Sequence, residues 1–169
     1  MRGRAVVVAL AVLIAGCRPD APGAPGHATI VRVVDGDTVD VRIGGREERV
    51  RLIGIDTPET KRPDTPVECF GPEATAFTET LLPPGARVRL ERDVVGRDDY
   101  GRLLAYVHLL DAPDVADGSG ELFVNLEIVR QGYARPLRIA PNVTYAAVFA
   151  DAARDAEAAD LGLWSACAS

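Results

Sequence analysis

Thr29-Ile30-Val31-Arg32-Val33-Val34-Asp35-Gly36-Asp37-Thr38-Val39-Asp40-Val41-Arg42-Ile43-Gly44-Gly45 opens the part of the chain that decides its fold. Val39, Val41 and Ile43 alternate with Thr38, Asp40 and Arg42, the period of a strand with one buried face. Asp35-Gly36-Asp37 is a turn between two β-branched runs, and Gly44-Gly45 is a tight hairpin turn. Glu48 to Ile55 returns as a third strand, giving a meander with Arg51 and Asp56 at its far end. Ile55-Asp56-Thr57-Pro58-Glu59 leaves that end in a proline-stiffened loop. Where two such strand ends meet, Asp37, Asp56 and Glu59 form a cage of hard oxygen donors, which suits calcium or magnesium better than softer metals. Arg51 lies on the strand leading into the cage. A planar guanidinium beside a carboxylate-held cation suits a phosphate, gripped from two sides.

Beyond the meander, Thr60 to Val67 carries Pro63 and Pro66 and reads as an irregular loop. Pro72 opens a helix to about Leu82, which Pro83-Pro84-Gly85 stops. Arg87 to Glu91 and Arg102 to Leu110 alternate again as strands four and five, separated by the charged loop Asp93 to Gly101. Ala112 to Gly120 is polar and without period. Leu122 to Gln131 and Tyr145 to Asp160 read as helices, the second with Tyr145, Val148, Phe149, Ala152, Ala156 and Ala159 on one stripe. Gly162-Leu163-Trp164 ends that helix against the core. Five short strands with a helix after the third and two helices behind make an α+β protein, a five-stranded Greek-key barrel of the OB type.

The N-terminus reads separately. Arg2 and Arg4 precede the unbroken apolar run Ala5 to Ala15, shorter than the roughly 20 residues of a membrane span but suited to a signal peptide. Ile14-Ala15-Gly16-Cys17 resembles the lipobox of bacterial lipoproteins. Residues 1–16 are therefore expected to be a cleaved leader and Cys17 a lipidated first residue, on a chain exported and held at the cell envelope by a lipid anchor or secreted. Cleavage after Ala15 or later, with an incidental cysteine, is the plainer alternative. Residues 17–27 form a Pro/Gly-rich tether, and 28–169 one folded domain. Without Arg2 and Arg4 the 19 basic residues become 17 against 25 acids, a net charge of −8. No bulk basic footprint exists for non-specific nucleic-acid binding, so any such contact rests on local arginines. After lipidation of Cys17, Cys69 and Cys167 remain, and in an oxidising compartment they are candidates for one disulfide. Their spacing matches no zinc pattern.

The motifs Asp35-Gly36-Asp37-Thr38, Arg51-Leu52, Ile55-Asp56-Thr57-Pro58-Glu59-Thr60, Gly71-Pro72-Glu73-Ala74, Asp98-Asp99-Tyr100-Gly101-Arg102, Val129-Arg130-Gln131-Gly132 and Gly162-Leu163-Trp164, in this order, resemble the staphylococcal nuclease family of thermonucleases from about Ala28 to Trp164. The resemblance implies a calcium-dependent endonuclease, monomeric, hydrolysing DNA and RNA and leaving 3′-phosphate ends. It implies that Asp37 and Asp56 bind Ca2+ with the carbonyl of Thr57, that Glu59 is the general base, that Arg51 and Arg102 grip the phosphate, and that Tyr100 contacts it. Three positions depart from the pattern. Asp99 stands where the family has a basic residue, and Leu137 and Ile139 replace two tyrosines, so base stacking is either missing or supplied by Tyr133 or Tyr145.

Each residue also has a plainer reading. Asp37 can cap the Asp35-Gly36 turn, Glu59 can be an exposed loop acid, Arg51 can pair with Asp40 or Glu48, and Arg102 with Asp98 or Asp99. His27, placed in the tether, and His108, mid-strand, are given no catalytic part, and Tyr106 is assigned to the core. The competing function is a catalytically weak or inactive OB module that binds single-stranded nucleic acid or a protein partner. Such a module has no use for the joint presence of Asp37, Arg51, Asp56, Glu59 and Arg102.

Overall fold

The computed structural model describes residues 26–61, 66–110, 112 and 120–167. The expected leader, Cys17 and nearly all of the expected tether lie outside these. In chain order the elements are β1 His27–Asp35, β2 Thr38–Ile43, β3 Arg46–Leu52, β4 Ile55–Asp56, α1 Gly71–Leu81, β5 Arg87–Glu91, β6 Leu103–Leu110, β7 Glu121–Phe123, α2 Val124–Arg130, β8 Arg135–Pro136, α3 Ala146–Ala158 and α4 Leu163–Ala166. The main sheet runs β3-β2-β1-β5-β6-β7, and a parallel pairing of β3 with β6 closes five of its strands into a barrel. This is the expected OB-type α+β architecture. Closure leaves no open edge among those five strands, and the inward set Val39, Val41, Val50, Leu52, Val88 and Val107 is fully buried.

Three local readings are corrected. The third strand does not run through Ile55: it stops at Leu52, and Gly54, at φ 83°, turns the chain so that β4 pairs with β8. An added Cβ at Gly54 would sit 2.2 Å from a ring carbon of Phe149, so both conformation and packing require glycine there. The helix read from Leu122 begins only at Val124, because Glu121 to Phe123 extend the sheet beside β6. His27 belongs to β1, opposite Arg89, rather than to the tether. The last segment is itself a short helix, α4, with Leu163 buried and the Arg135 guanidinium 4.4 Å over the Trp164 ring. The cysteines are joined as expected, Cys69 to Cys167.

Tyr106 is core, with its hydroxyl on Asp93, and His108 is structural. The His108 ring stacks on Phe123, and its Nε2 lies 3.0 Å from Glu91 Oε2. Burial, with help from the Arg89 cation, pushes the imidazole below its usual 6.5, although Glu91 and Glu121 pull the other way. The folded protein therefore resists protonation that the unfolded chain accepts, and stability falls as pH drops below about 6.5 through the folded value. Glu91 and Asp93 titrate below their usual values and act only at lower pH. Urea midpoints measured across this range should fall with pH for the parent chain. The His108→Gln variant should be flatter between pH 6.5 and 5, and an unchanged slope would discard this account.

Candidate active site

The turn between β1 and β2 and the turn after β3 are brought together by register. Thr38 lies opposite Arg51, and the Leu52 N–H donates to the Asp37 carbonyl at 2.8 Å. Asp37 and Arg51 thus share one end of the barrel, with Asp56 and Thr57 delivered there by β4. Asp37 does not cap its own turn: Asp35 Oδ1 accepts the Gly36 N–H, while Asp37 Oδ2 accepts both the N–H and the hydroxyl of Thr57 at 3.1 and 3.2 Å.

Arg51 is almost enclosed. Its Nη1 donates to the carbonyls of Leu52 and Ile55, the latter at 2.9 Å, and its Nη2 lies 3.0 Å from Asp37 Oδ2 and 3.1 Å from Asp56 Oδ1. The alternatives with Asp40 and Glu48 are not taken. Asp40 is held by Arg32 and Arg49, and Glu48 by Arg97. Burial pushes the Asp37 carboxyl above its ordinary range despite Arg51 and the Thr57 N–H. It is a desolvated acid whose charged form gains from additional positive charge.

Among the described residues no three acid, histidine or cysteine side chains form a ready metal cluster. The cage of Asp37, Asp56 and Glu59 expected from the sequence is therefore not formed; the donors that the family resemblance implies are two carboxylates and the Thr57 carbonyl, a set without a third side chain. All three positions line one groove of about 990 Å³, together with Asp35, Glu59, Glu68, Tyr100 and Arg102. Hard oxygens around a desolvated acid fit a calcium ion.

Glu59 is on the loop after β4. Its Oε1 accepts the N–H groups of Thr60 at 3.0 Å and Lys61 at 2.8 Å, which orients the carboxylate. Asp35 was not singled out from the sequence, yet it is central. Its Oδ1 accepts the hydroxyls of Thr60 and Thr75 at 2.8 and 3.0 Å, and it is within hydrogen-bonding reach of Glu59. Burial raises the Asp35 pKa, but these hydrogen bonds prevail and leave it below the usual value. Its place at the end of β1, two residues before Asp37 in the turn that follows, was the available signal.

Across the groove, Asp98 organises the second arginine. Asp98 Oδ1 accepts the N–H groups of Tyr100 and Arg102, and Oδ2 accepts Arg102 Nε at 2.7 Å. The plainer reading of Arg102 is thus partly realised, with Asp98 rather than Asp99, but the contact engages Nε and holds the guanidinium at the groove. Tyr100 is 87% exposed and its ring carries the Arg102 guanidinium at 5.4 Å. Neither candidate for the missing stacking surfaces lines this groove. Tyr133 stacks on Phe77 at 4.1 Å, and the Tyr145 hydroxyl donates to Glu91.

A family model described as "Staphylococcal nuclease homologue" matches residues 49–166. The thermonuclease of Staphylococcus intermedius is 42% identical over 135 residues, covering 80% of this chain and 74% of that protein. The thermonuclease of Staphylococcus hyicus is 38% identical with the same coverage of each. Endonuclease YncB of Bacillus subtilis (strain 168) is 35% identical over 82% of this chain and 62% of its own length.

Proposed function

Because the chain belongs to the staphylococcal nuclease family, we propose that it hydrolyses phosphodiester bonds in DNA and RNA with calcium, leaving 3′-phosphate ends. The observation that carries this reading is the convergence of Asp37 and Asp56 on one nitrogen of Arg51, in a groove that also holds Glu59 and Arg102. Asp37, Asp56 and the Thr57 carbonyl would hold the ion. When bound, calcium supplies neutralising charge for the phosphate oxygens and a seat for water.

The residues do the rest. Glu59 accepts a proton from the attacking water, whose oxygen bonds to phosphorus. The P–O5′ bond breaks, and the 5′ oxygen leaves to take up a proton. Arg51 and Arg102 carry the charge that grows on the equatorial oxygens, where preorganised donors act most strongly. Tyr100, exposed at the rim beside Arg102, is placed to contact the phosphate chain. Asp99 and Ile139, both exposed, add no positive charge and no stacking surface, so affinity rests on fewer contacts than in the family pattern.

Degradation of single-stranded DNA is expected to need added calcium, to stop in excess chelator, and to be poorly supported by magnesium, which demands stricter octahedral geometry. Equal activity in the chelator would remove calcium from the reading, and no degradation with calcium present would leave the OB binding module in its place. Export and lipidation at Cys17 complete the proposal, supported by the Ile14-Ala15-Gly16-Cys17 junction. Intact mass of the mature protein is expected to show an acylated N-terminal cysteine. A chain beginning elsewhere without lipid would refute the anchor.

A further inference from the structure

Glu59 is held by more than its own turn. Its N–H donates to Glu68 Oε2 at 3.1 Å, and its carbonyl accepts the Glu68 N–H at 2.9 Å, so one residue grips the backbone of the other on both sides. Glu68 is itself tied forward, its carbonyl accepting the Gly71 N–H at 3.0 Å. The first residue of α1 is pressed against the same loop: a Cβ at Gly71 would lie 2.6 Å from Thr60 Cγ2 and 3.2 Å from the Glu59 carbonyl oxygen. The residue next to Glu68 is Cys69, bonded to Cys167. Cys167 in turn closes α4, whose Leu163 is buried and donates its N–H to Gly132 at 2.8 Å. An unbroken series of contacts therefore runs from the core through Leu163, Cys167, Cys69 and Glu68 to the backbone of Glu59.

We propose that Glu68, fixed by the Cys69–Cys167 bridge, is a positioning residue for Glu59. This rests on the reading of Glu59 as the general base. Glu59 lies in neither helix nor strand: the N–H groups of Thr60 and Lys61 orient its carboxylate, but no ladder or helix hydrogen bonding of its own segment fixes its backbone. A working group has to be held to about 0.5 Å, and a misplacement of about 1 Å can cost on the order of 100-fold. Glu68 supplies a side-chain acceptor and a backbone donor at the base of Glu59, and the bridge keeps Glu68 from following the loop. The Glu68 side chain is exposed, so its hydrogen bond, more than its packing, is what a substitution removes.

The test uses the full chain with saturating calcium and single-stranded DNA. Glu68→Ala is expected to lower kcat by about 10-fold to 100-fold with KM and the calcium half-saturation unchanged. Glu68→Gln keeps an acceptor oxygen while losing the charge, and should restore most of the rate. The paired Cys69→Ser, Cys167→Ser variant should lose kcat in the same direction, with its melting temperature recorded so that unfolding is recognised. The decisive comparison is Glu68→Ala placed on Glu59→Gln, where it should have no further effect because the group being positioned has lost its basicity. Wild-type kcat in Glu68→Ala, or an equal loss on both backgrounds, overturns the positioning role. A wild-type rate in Glu59→Gln alone overturns the general-base reading instead, so the two failures are told apart.

Discussion

Arg51→Ala is expected to abolish measurable turnover, by roughly 1,000-fold or more, and to destabilise the protein in the same step. The side chain is only 14% exposed and has four partners: the carbonyls of Leu52 and Ile55, and the carboxylates of Asp37 and Asp56. Truncation strands two carbonyls at the β3 to β4 turn and leaves Asp37, 10% exposed, without its nearest guanidinium. Breaking a buried pair costs about 3 kcal/mol or more, and the Asp56 contact, 59% exposed, adds little to that. Lysine keeps the charge but cannot serve carbonyls and carboxylates with one compact ammonium, so Arg51→Lys should recover part of the stability and little of the rate. Chemical unfolding and single-turnover cleavage, measured on the same preparations, separate the two losses. An Arg51→Lys enzyme at wild-type rate would show that forked geometry is irrelevant to the phosphate.

Glu59→Gln should lower kcat by about 100-fold to 10,000-fold, the span of general-base catalysis, with KM nearly unchanged. The amide retains an oxygen for the N–H groups of Thr60 and Lys61, so the turn that orients residue 59 should persist. What disappears is the ability to take a proton from water. Steady-state rates at saturating calcium decide the matter, and a variant within about threefold of the parent would move the base to another residue.

Much of the barrel was readable in the residues themselves. The bodies of β1, β2, β5 and β6 follow from β-branched runs and two-residue alternation bounded by glycines and charged loops, although β1 starts two residues before the Thr29 read from the sequence, and α1 and α3 from apolar spacing closed by proline or glycine. The pieces that escaped, β4, β7 and β8, are two or three residues long. Segments so short carry no period of their own and are strands only because an edge of β6, or the matching short partner, lies alongside. Ile53-Gly54-Ile55 read as a continuing strand because only the φ of Gly54 distinguishes a turn from an extended glycine.

Within the candidate site, residue types were legible and partners were not. Asp37, Arg51, Asp56, Glu59 and Arg102 announce phosphate chemistry through charge and hardness, properties each side chain carries wherever it is placed. That Asp40 goes to Arg32 and Arg49, freeing Arg51 for Asp37 and Asp56, follows from the registers Arg32 opposite Asp40 and Asp40 opposite Arg49. That Asp35 reaches Thr60 and Thr75, and Glu68 the backbone of Glu59, depends on how α1 and the loop before it pack on the barrel. The chain by itself determined fold class and the chemical character of the site, since these follow from local period and composition. Tertiary structure alone decided which acid meets which arginine, because pairing between distant segments depends on register and closure, and neither is written in the spacing of one segment.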